Sequence, residues 1–132
     1  MTSDAPPPPA ELFAVRNLRG GPWDWARGMR EQAGWKDHAA FMNGLVDEGV
    51  IVIGGPLEGD REALLIFRAA SAQEVRRRLA EDPWAANGML TVKSIERWTI
   101  LLSPPAVDEI LAAPRPGATA SASAEPPAER ER

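Results

Sequence analysis

His38 is the only histidine in this sequence of 132 residues, and it is the natural candidate for proton transfer near neutral pH. An imidazole with an ordinary pKa of about 6.5 can act as a general acid or a general base. The chain has no cysteine, which excludes disulfide bonds, thiolate nucleophiles and cysteine-ligated zinc or iron–sulfur centres. A single histidine also excludes a metal site made of several histidines within one chain. If the protein is an enzyme, we expect it to use neither metal nor cofactor.

The position of His38 in its helix favours a role at the edge of the core. A helix is predicted from Gly34 to Glu48, with Trp35, His38, Met42 and Leu45 on one stripe. This stripe should face a sheet, so His38 should lie away from bulk solvent. Two interpretations remain: a histidine that simply bonds a backbone carbonyl, or a proton shuttle.

Asp82 is the second candidate, in the segment Asp82-Pro83-Trp84. A helix is predicted from Ser71 to Glu81, because Ser71 and Glu74 form a capping-box pattern and Pro83 should end the helix. An aspartate before proline is often only a turn or cap residue. If the two helices lie side by side, however, the Asp82 carboxylate could bond one nitrogen of His38 and raise the basicity of the other.

The remaining elements predict how these two residues are positioned. Apolar alternation or β-branched runs indicate strands at 11–18, 50–53, 63–69 and 92–102. The order strand, helix, strand, strand, helix, strand is that of the α+β ferredoxin-like fold. Right-handed crossovers place both helices on one face of a four-stranded antiparallel sheet.

Two strands are apolar on both faces, at residues 50–53 and 64–67. Two helices of one chain cover only one face of the sheet, so a second cover is required. We expect a homodimer in which two sheets form a shared dimeric α/β barrel. A large ligand on that face is the alternative.

Composition divides the chain into three parts. Residues 1–10 are a proline-rich head that we expect to be disordered, 11–103 form the folded domain, and 104–132 form a mostly disordered tail with a helical turn at 106–112. The domain is nearly neutral, with 12 basic and 13 acidic residues, which argues against nucleic acid or an anionic membrane as partner. The sequence shows neither a signal-peptide pattern nor a long apolar run, and we expect a cytoplasmic protein.

Several segments together resemble the YCII-related (YciI-like) domain family, within the dimeric ferredoxin-like α/β barrel superfamily that includes muconolactone isomerase. The similarity covers about residues 12–102. The segments that carry it are HAAFMNGLVDEG, VIVIGGPLEG, ALLIFRA and SAQEVRRRLAEDPWAANGML. The resemblance implies that His38 and Asp82 correspond to the family's active-site pair, near Gly55 and Pro56. The best-understood relative is a dehydrochlorinase of a chlorinated hydroxyquinol.

Five further residues are candidates for contact with a small-molecule substrate. The segment Gly54-Gly55-Pro56 could bring the backbone N–H groups of its glycines close to an anionic or phenolate oxygen, with Pro56 shaping the turn, or it could form a simple hairpin shoulder. Trp84 and Trp35 could form pocket walls or belong to the core. Arg16 could neutralise an anionic ligand, or pair with an acid across the dimer.

We therefore expect a small cofactor-independent enzyme in which the His38–Asp82 pair moves a proton on an aromatic or lactone-like substrate. Isomerisation, elimination and hydrolysis all remain open. A dimeric binding or accessory domain with structural His38 and Asp82 is the alternative. The run Arg76-Arg77-Arg78 is typical of a solvated helix face.

Overall fold

A computed structural model describes residues 11–112. Four strands form one sheet in the order β2-β3-β1-β4, and every neighbouring pair is antiparallel. This is the predicted ferredoxin-like α+β arrangement, and the sheet is not closed into a barrel. The elements are β1 (Glu11–Arg19), α1 (Trp35–Asp47), β2 (Ile51–Pro56), β3 (Glu62–Ala69), α2 (Ala72–Leu79), α3 (Pro83–Ala86), β4 (Leu90–Arg97) and α4 (Pro105–Ala112), with a 3-10 turn at Met29–Glu31.

The core lies between one face of the sheet and the helices α1 and α2. Alternation along β1 directs Phe13 and Val15 to this side, where they pack with Phe67 of β3, Leu45 of α1 and Val75 of α2. All five side chains are buried. Apolar burial on this one face holds both helices against the sheet.

The opposite surface of the sheet is called here the open face. It carries Leu12, Ala14, Arg16 and Leu18 of β1 and their partners on β3. Residues 98–112 cross the part of this face that contains Arg68. The Arg68 Nη2 donates to the Ile110 carbonyl at 2.9 Å. The helical turn predicted at 106–112 is part of helix α4, which spans Pro105–Ala112.

The last strand was predicted wrongly at both of its ends, because β4 spans Leu90–Arg97 rather than residues 92–102. The Trp98 N–H still donates to the Leu12 carbonyl at 2.8 Å, and the chain then leaves the sheet. The apolar residues that follow line a pocket at the open face instead of continuing the ladder, and Leu101 and Leu102 are largely exposed there. An apolar segment serves either arrangement, so its local pattern did not distinguish them.

Two other boundaries differ from the prediction. Strand β2 continues through Gly54 to Pro56, where a loop was expected. A Cβ on Gly54 would lie 2.5 Å from Leu65 Cδ2, so glycine permits this close pairing with β3. Helix α2 ends at Leu79 rather than at Glu81, and Pro83 begins α3, since proline suits the first helical position.

The predicted cap of α2 is confirmed: Ser71 Oγ accepts the Glu74 N–H at 3.1 Å. Among residues 11–112, no helix is long and apolar enough to cross a membrane. The proline-rich head and the tail beyond Ala112 lie outside the described residues.

Candidate active site

His38 lies in the first turns of α1 and is 8% exposed. Its Nδ1 is 2.9 Å from both carboxylate oxygens of Asp82, which is only 1% exposed. These residues are 44 positions apart in the sequence, and the packing of α1 beside α3 brings them together. We call this buried pair the dyad.

Asp82 also caps α3. It is therefore both the cap residue that is common before a proline and the partner of His38. Its Oδ1 accepts the Trp84 N–H at 2.9 Å. A carboxylate held by a backbone N–H and an imidazole has little freedom to rotate. The cap therefore fixes the direction from which Asp82 meets His38.

Trp84 provides the floor on which the imidazole lies. The two rings stack with centroids 3.9 Å apart and planes 10° apart. The indole Nε1 donates to the Ala33 carbonyl at 2.8 Å, which joins α3 to the backbone two residues before α1. Gly34, at φ 79°, makes this approach possible, because a Cβ there would lie 3.2 Å from the indole nitrogen. The His38 ring is thus fixed by a hydrogen bond at its edge and a stacking contact on its face.

Further tryptophans surround this stack. The Trp35 ring lies 5.9 Å from His38, and the Trp23 ring meets Trp84 edge-on at 5.2 Å. The Arg19 guanidinium lies 4.4 Å from the centre of Trp23. Burial lowers the pKa of Arg19, and the charge of Asp60 opposes that effect. These contacts make an apolar and rigid surrounding for the dyad.

The loop that carries Trp23 is held by the buried side chain of Gln32. Its Oε1 accepts the Asp24 N–H at 2.9 Å, and its Nε2 donates to the Asp24 and Arg27 carbonyls at 2.8 and 3.1 Å. Sequence reasoning missed Gln32 and Trp23 as parts of the site. No local pattern marks a glutamine that bonds loop backbone, whereas the density of tryptophan was a usable signal.

The second imidazole nitrogen of His38 is available for chemistry. An ionised Asp82 can only accept a hydrogen bond, so it holds the ring proton on Nδ1 and leaves the lone pair on Nε2. Nε2 has no hydrogen-bond partner among the described residues, and it is not sealed from solvent. A nitrogen in this state can accept a proton from a bound molecule and return it.

The structure does not bring all predicted residues to the dyad. Arg16 lies on the open face, across the sheet from α1, and its Nη1 is 3.2 Å from Glu62 Oε1. Gly55 belongs to the same face, since it pairs with Leu64, the partner of Arg16. Pro56 is exposed at the end of β2. Trp84 and Trp35 do adjoin His38, although the face of Trp84 is covered by the imidazole itself.

No group of three or more histidine, cysteine, aspartate or glutamate residues within 11–112 is arranged to hold a metal ion.

A family model described as the YCII-related domain matches residues 13–99. The chain belongs to the YCII-related domain family. The match covers the sheet except for the first two residues of β1, and it includes both residues of the dyad.

This YCII-related chain was also compared with curated proteins and with solved structures. No curated protein matched it. A solved structure of 5-chloro-2-hydroxyhydroquinone dehydrochlorinase from Burkholderia phenoliruptrix, in complex with 2,5-dihydroxybenzoquinone, is 24% identical with a TM-score of 0.48. The similarity covers 67% of this chain and 93% of that chain.

Proposed function

We propose that this YCII-related protein is a small enzyme in which the dyad transfers a proton on a small aromatic or lactone-like substrate. One observation carries the proposal: His38 Nδ1 lies 2.9 Å from both Asp82 oxygens while Nε2 has no partner among the described residues. A histidine with only a structural role needs no carboxylate at one nitrogen and a free second nitrogen.

In this proposal Nε2 of His38 removes a proton from the substrate. Asp82 stabilises the imidazolium that forms, and the same Nε2–H then delivers the proton to the product or leaving group. Asp82 is buried and Trp84 covers one face of the ring, and this low exposure strengthens the interaction between the imidazolium and Asp82. Isomerisation, elimination and hydrolysis can all use this cycle, and we propose the proton transfer common to them.

A second function is favoured by the double role of Asp82. Because the carboxylate caps α3 and His38 stacks on Trp84, the dyad also joins α1 to α3. The protein would then be a ligand-binding or accessory domain that catalyses no reaction. The two proposed functions predict different effects on catalysis when His38 is substituted.

The test compares His38→Gln and Asp82→Asn with the wild type over a panel of small phenols, quinones, lactones and carboxylic acids. Each compound is screened for thermal stabilisation and for conversion. For a converted compound we expect kcat to fall about 100-fold or more in His38→Gln, and to fall in Asp82→Asn as well. Asp37→Asn is the matched control, because Asp37 is exposed on the same turn of α1.

Unchanged conversion by His38→Gln would contradict the proposal. Stabilisation of the wild type by compounds that are never converted would favour the binding domain. Because His38 is the only histidine, the ring nitrogens can also be observed without overlap by NMR. We expect the neutral ring to carry its proton on Nδ1 in the wild type.

We also propose that the protein acts as a homodimer joined through the open face, and that it works in the cytoplasm. The exposed apolar side chains near that face support the dimer: Ile53, Trp98, Leu101, Leu102 and Ile110. A chain without cysteine is compatible with a reducing compartment.

A further inference from the structure

A cavity of about 270 Å³ lies beside Asp82, between the end of α2 and the strands β1 and β4. We call it the Asp82 cavity. Neither His38 nor a tryptophan lines it, so Asp82 is the one residue of the dyad that the cavity touches. Its apolar wall consists of Leu79, Leu90 and Val92, with Ala80 and Ala85 beside them.

Asn17 is the first polar group of this cavity, and it is 4% exposed. Its side-chain amide has no hydrogen-bond partner among residues 11–112. The amide atoms are nevertheless not sealed from solvent, so they reach the cavity that Asn17 lines. An amide that lines a cavity without a protein partner can bond a molecule that enters the cavity, and Asn17 is placed to do so.

The backbone around Asn17 is irregular at this point. The register of β1 against β4 shifts between Arg16 and Asn17, so that Arg16 pairs with Ser94 and Asn17 with Val92. Lys93 is the extra residue of this bulge. Bulges reorient side chains and are frequent beside binding sites. Here the irregularity lies at the position where Asn17 enters the cavity.

Arg76 supplies a positive charge at the exposed side of the cavity. Its guanidinium has no ion-pair or hydrogen-bond partner in the described part of the chain. Its neighbour Arg78, in contrast, bonds Glu48 at 2.8 Å. The arginine run on α2 is therefore not uniform, because Arg76 alone of the three lines the cavity.

We propose that the Asp82 cavity binds a small carboxylate with a compact apolar body. Its carboxylate lies at the Arg76 guanidinium, its apolar body lies against Leu79 and Val92, and it takes a hydrogen bond from the Asn17 amide. The charge of Asp82 is already engaged by the imidazole of His38 and the N–H of Trp84, which lowers the repulsion of an anion. The cavity is small for a ligand site, so one ring is the largest body that fits. The proposal does not require His38 to be catalytic.

The experiment is a titration of the isotope-labelled full chain with benzoate, followed by NMR. We expect the Asn17 side-chain amide and the α2 backbone near Arg76 to shift. Arg76→Gln should weaken benzoate binding about tenfold or more, since hydrogen bonds to charged groups contribute about 1.5–3 kcal/mol. Arg77→Gln is the matched control and should bind as the wild type does, because Arg77 does not line the cavity. Benzamide, which has the same ring without the charge, should bind at least tenfold more weakly.

Asn17→Leu gives a second, independent readout. The variant should lose benzoate binding while its free energy of unfolding is no lower than that of the wild type, because an unpartnered amide has been replaced by an apolar group of similar size. Equal benzoate affinity in the wild type and Arg76→Gln would overturn the proposal. Retained binding in His38→Gln is expected, because a glutamine N–H can engage the Asp82 carboxylate in place of the imidazole and the Trp84 N–H remains. Loss of binding in that variant would place the ligand at the dyad and would also overturn it.

Discussion

Glu62 shows how single residues of the open face depend on their partners. Its carboxylate lies 2.7 Å from Lys93 Nζ and 3.2 Å from Arg16 Nη1. The hydrogen bond from Lys93 is the main reason that the pKa of Glu62 lies below its ordinary value of 4.5, with that from Arg16 contributing. The ionised form of Glu62 is therefore favoured by folding.

A pH dependence follows from this lowered pKa. The stabilisation by Glu62 is present above its ordinary pKa and is lost as the pH falls through the lower pKa of the folded state. We expect the free energy of unfolding of the wild type to fall more steeply below about pH 5 than that of Lys93→Met. Denaturant unfolding over a pH series measures both slopes, with Lys36→Met, an exposed lysine on α1, as control. Equal slopes in the wild type and Lys93→Met would show that the Lys93–Glu62 pair does not contribute to the pH dependence of the free energy of unfolding.

At the scale of elements, the site depends on where α1 begins. Gly34 precedes the helix in the left-handed region, and its missing side chain lets the Trp84 indole reach Ala33. Trp84 in turn carries the His38 ring. The start of α1 and the start of α3 are thus joined through one tryptophan.

Two glycines of the same helix region give a matched comparison. Gly34→Ala should lower the free energy of unfolding by about 1–2 kcal/mol, because alanine is strained at positive φ and its Cβ would press on Trp84. Gly44→Ala should instead raise it by about 0.5–1 kcal/mol, since Gly44 lies within α1 with open space around it. Denaturant melts measure both changes. A stabilising Gly34→Ala would contradict the stated role of the left-handed turn.

At the scale of the whole molecule, the open face decides the state of association. Residues 98–112 cover only part of it, and Ile53 remains 65% exposed while Leu102 is 92% exposed. A soluble monomer rarely leaves a contiguous apolar surface of this kind uncovered. A second copy of the chain can cover it by two-fold symmetry.

The proposed dimer is tested by light scattering coupled to size exclusion at micromolar concentration. We expect the wild type to have twice the mass of the chain. Ile53→Lys should weaken association at least tenfold, because a charge would be buried in the interface. Val46→Lys changes an exposed apolar residue of α1 away from the open face and should remain dimeric. A monomeric wild type would exclude the dimer under these conditions.

Much of the fold could be predicted because its signals are local. The helical stripe of α1 and the cap of α2 at Ser71 depend on neighbours a few residues apart. The end of β4 could not be predicted in this way, since an apolar run suits a strand and a segment packed across a sheet equally well. Asn17 was missed, although a polar residue that continues the buried face of β1 was a signal that could have been used.

His38 and Asp82 could be selected from the sequence because the chain offers one imidazole and few competing groups. Their meeting at 2.9 Å is a different kind of fact. It depends on where α1 lies on the sheet and where α3 begins, and Trp84 connects the two through its contacts with His38 and Ala33. Arg16 and Gly55 illustrate the same limit, because the face of the sheet on which they lie follows from strand register. Residue types and local periodicity thus determine the candidate chemistry and the order of elements, whereas long-range packing alone decides which groups come within hydrogen-bonding distance.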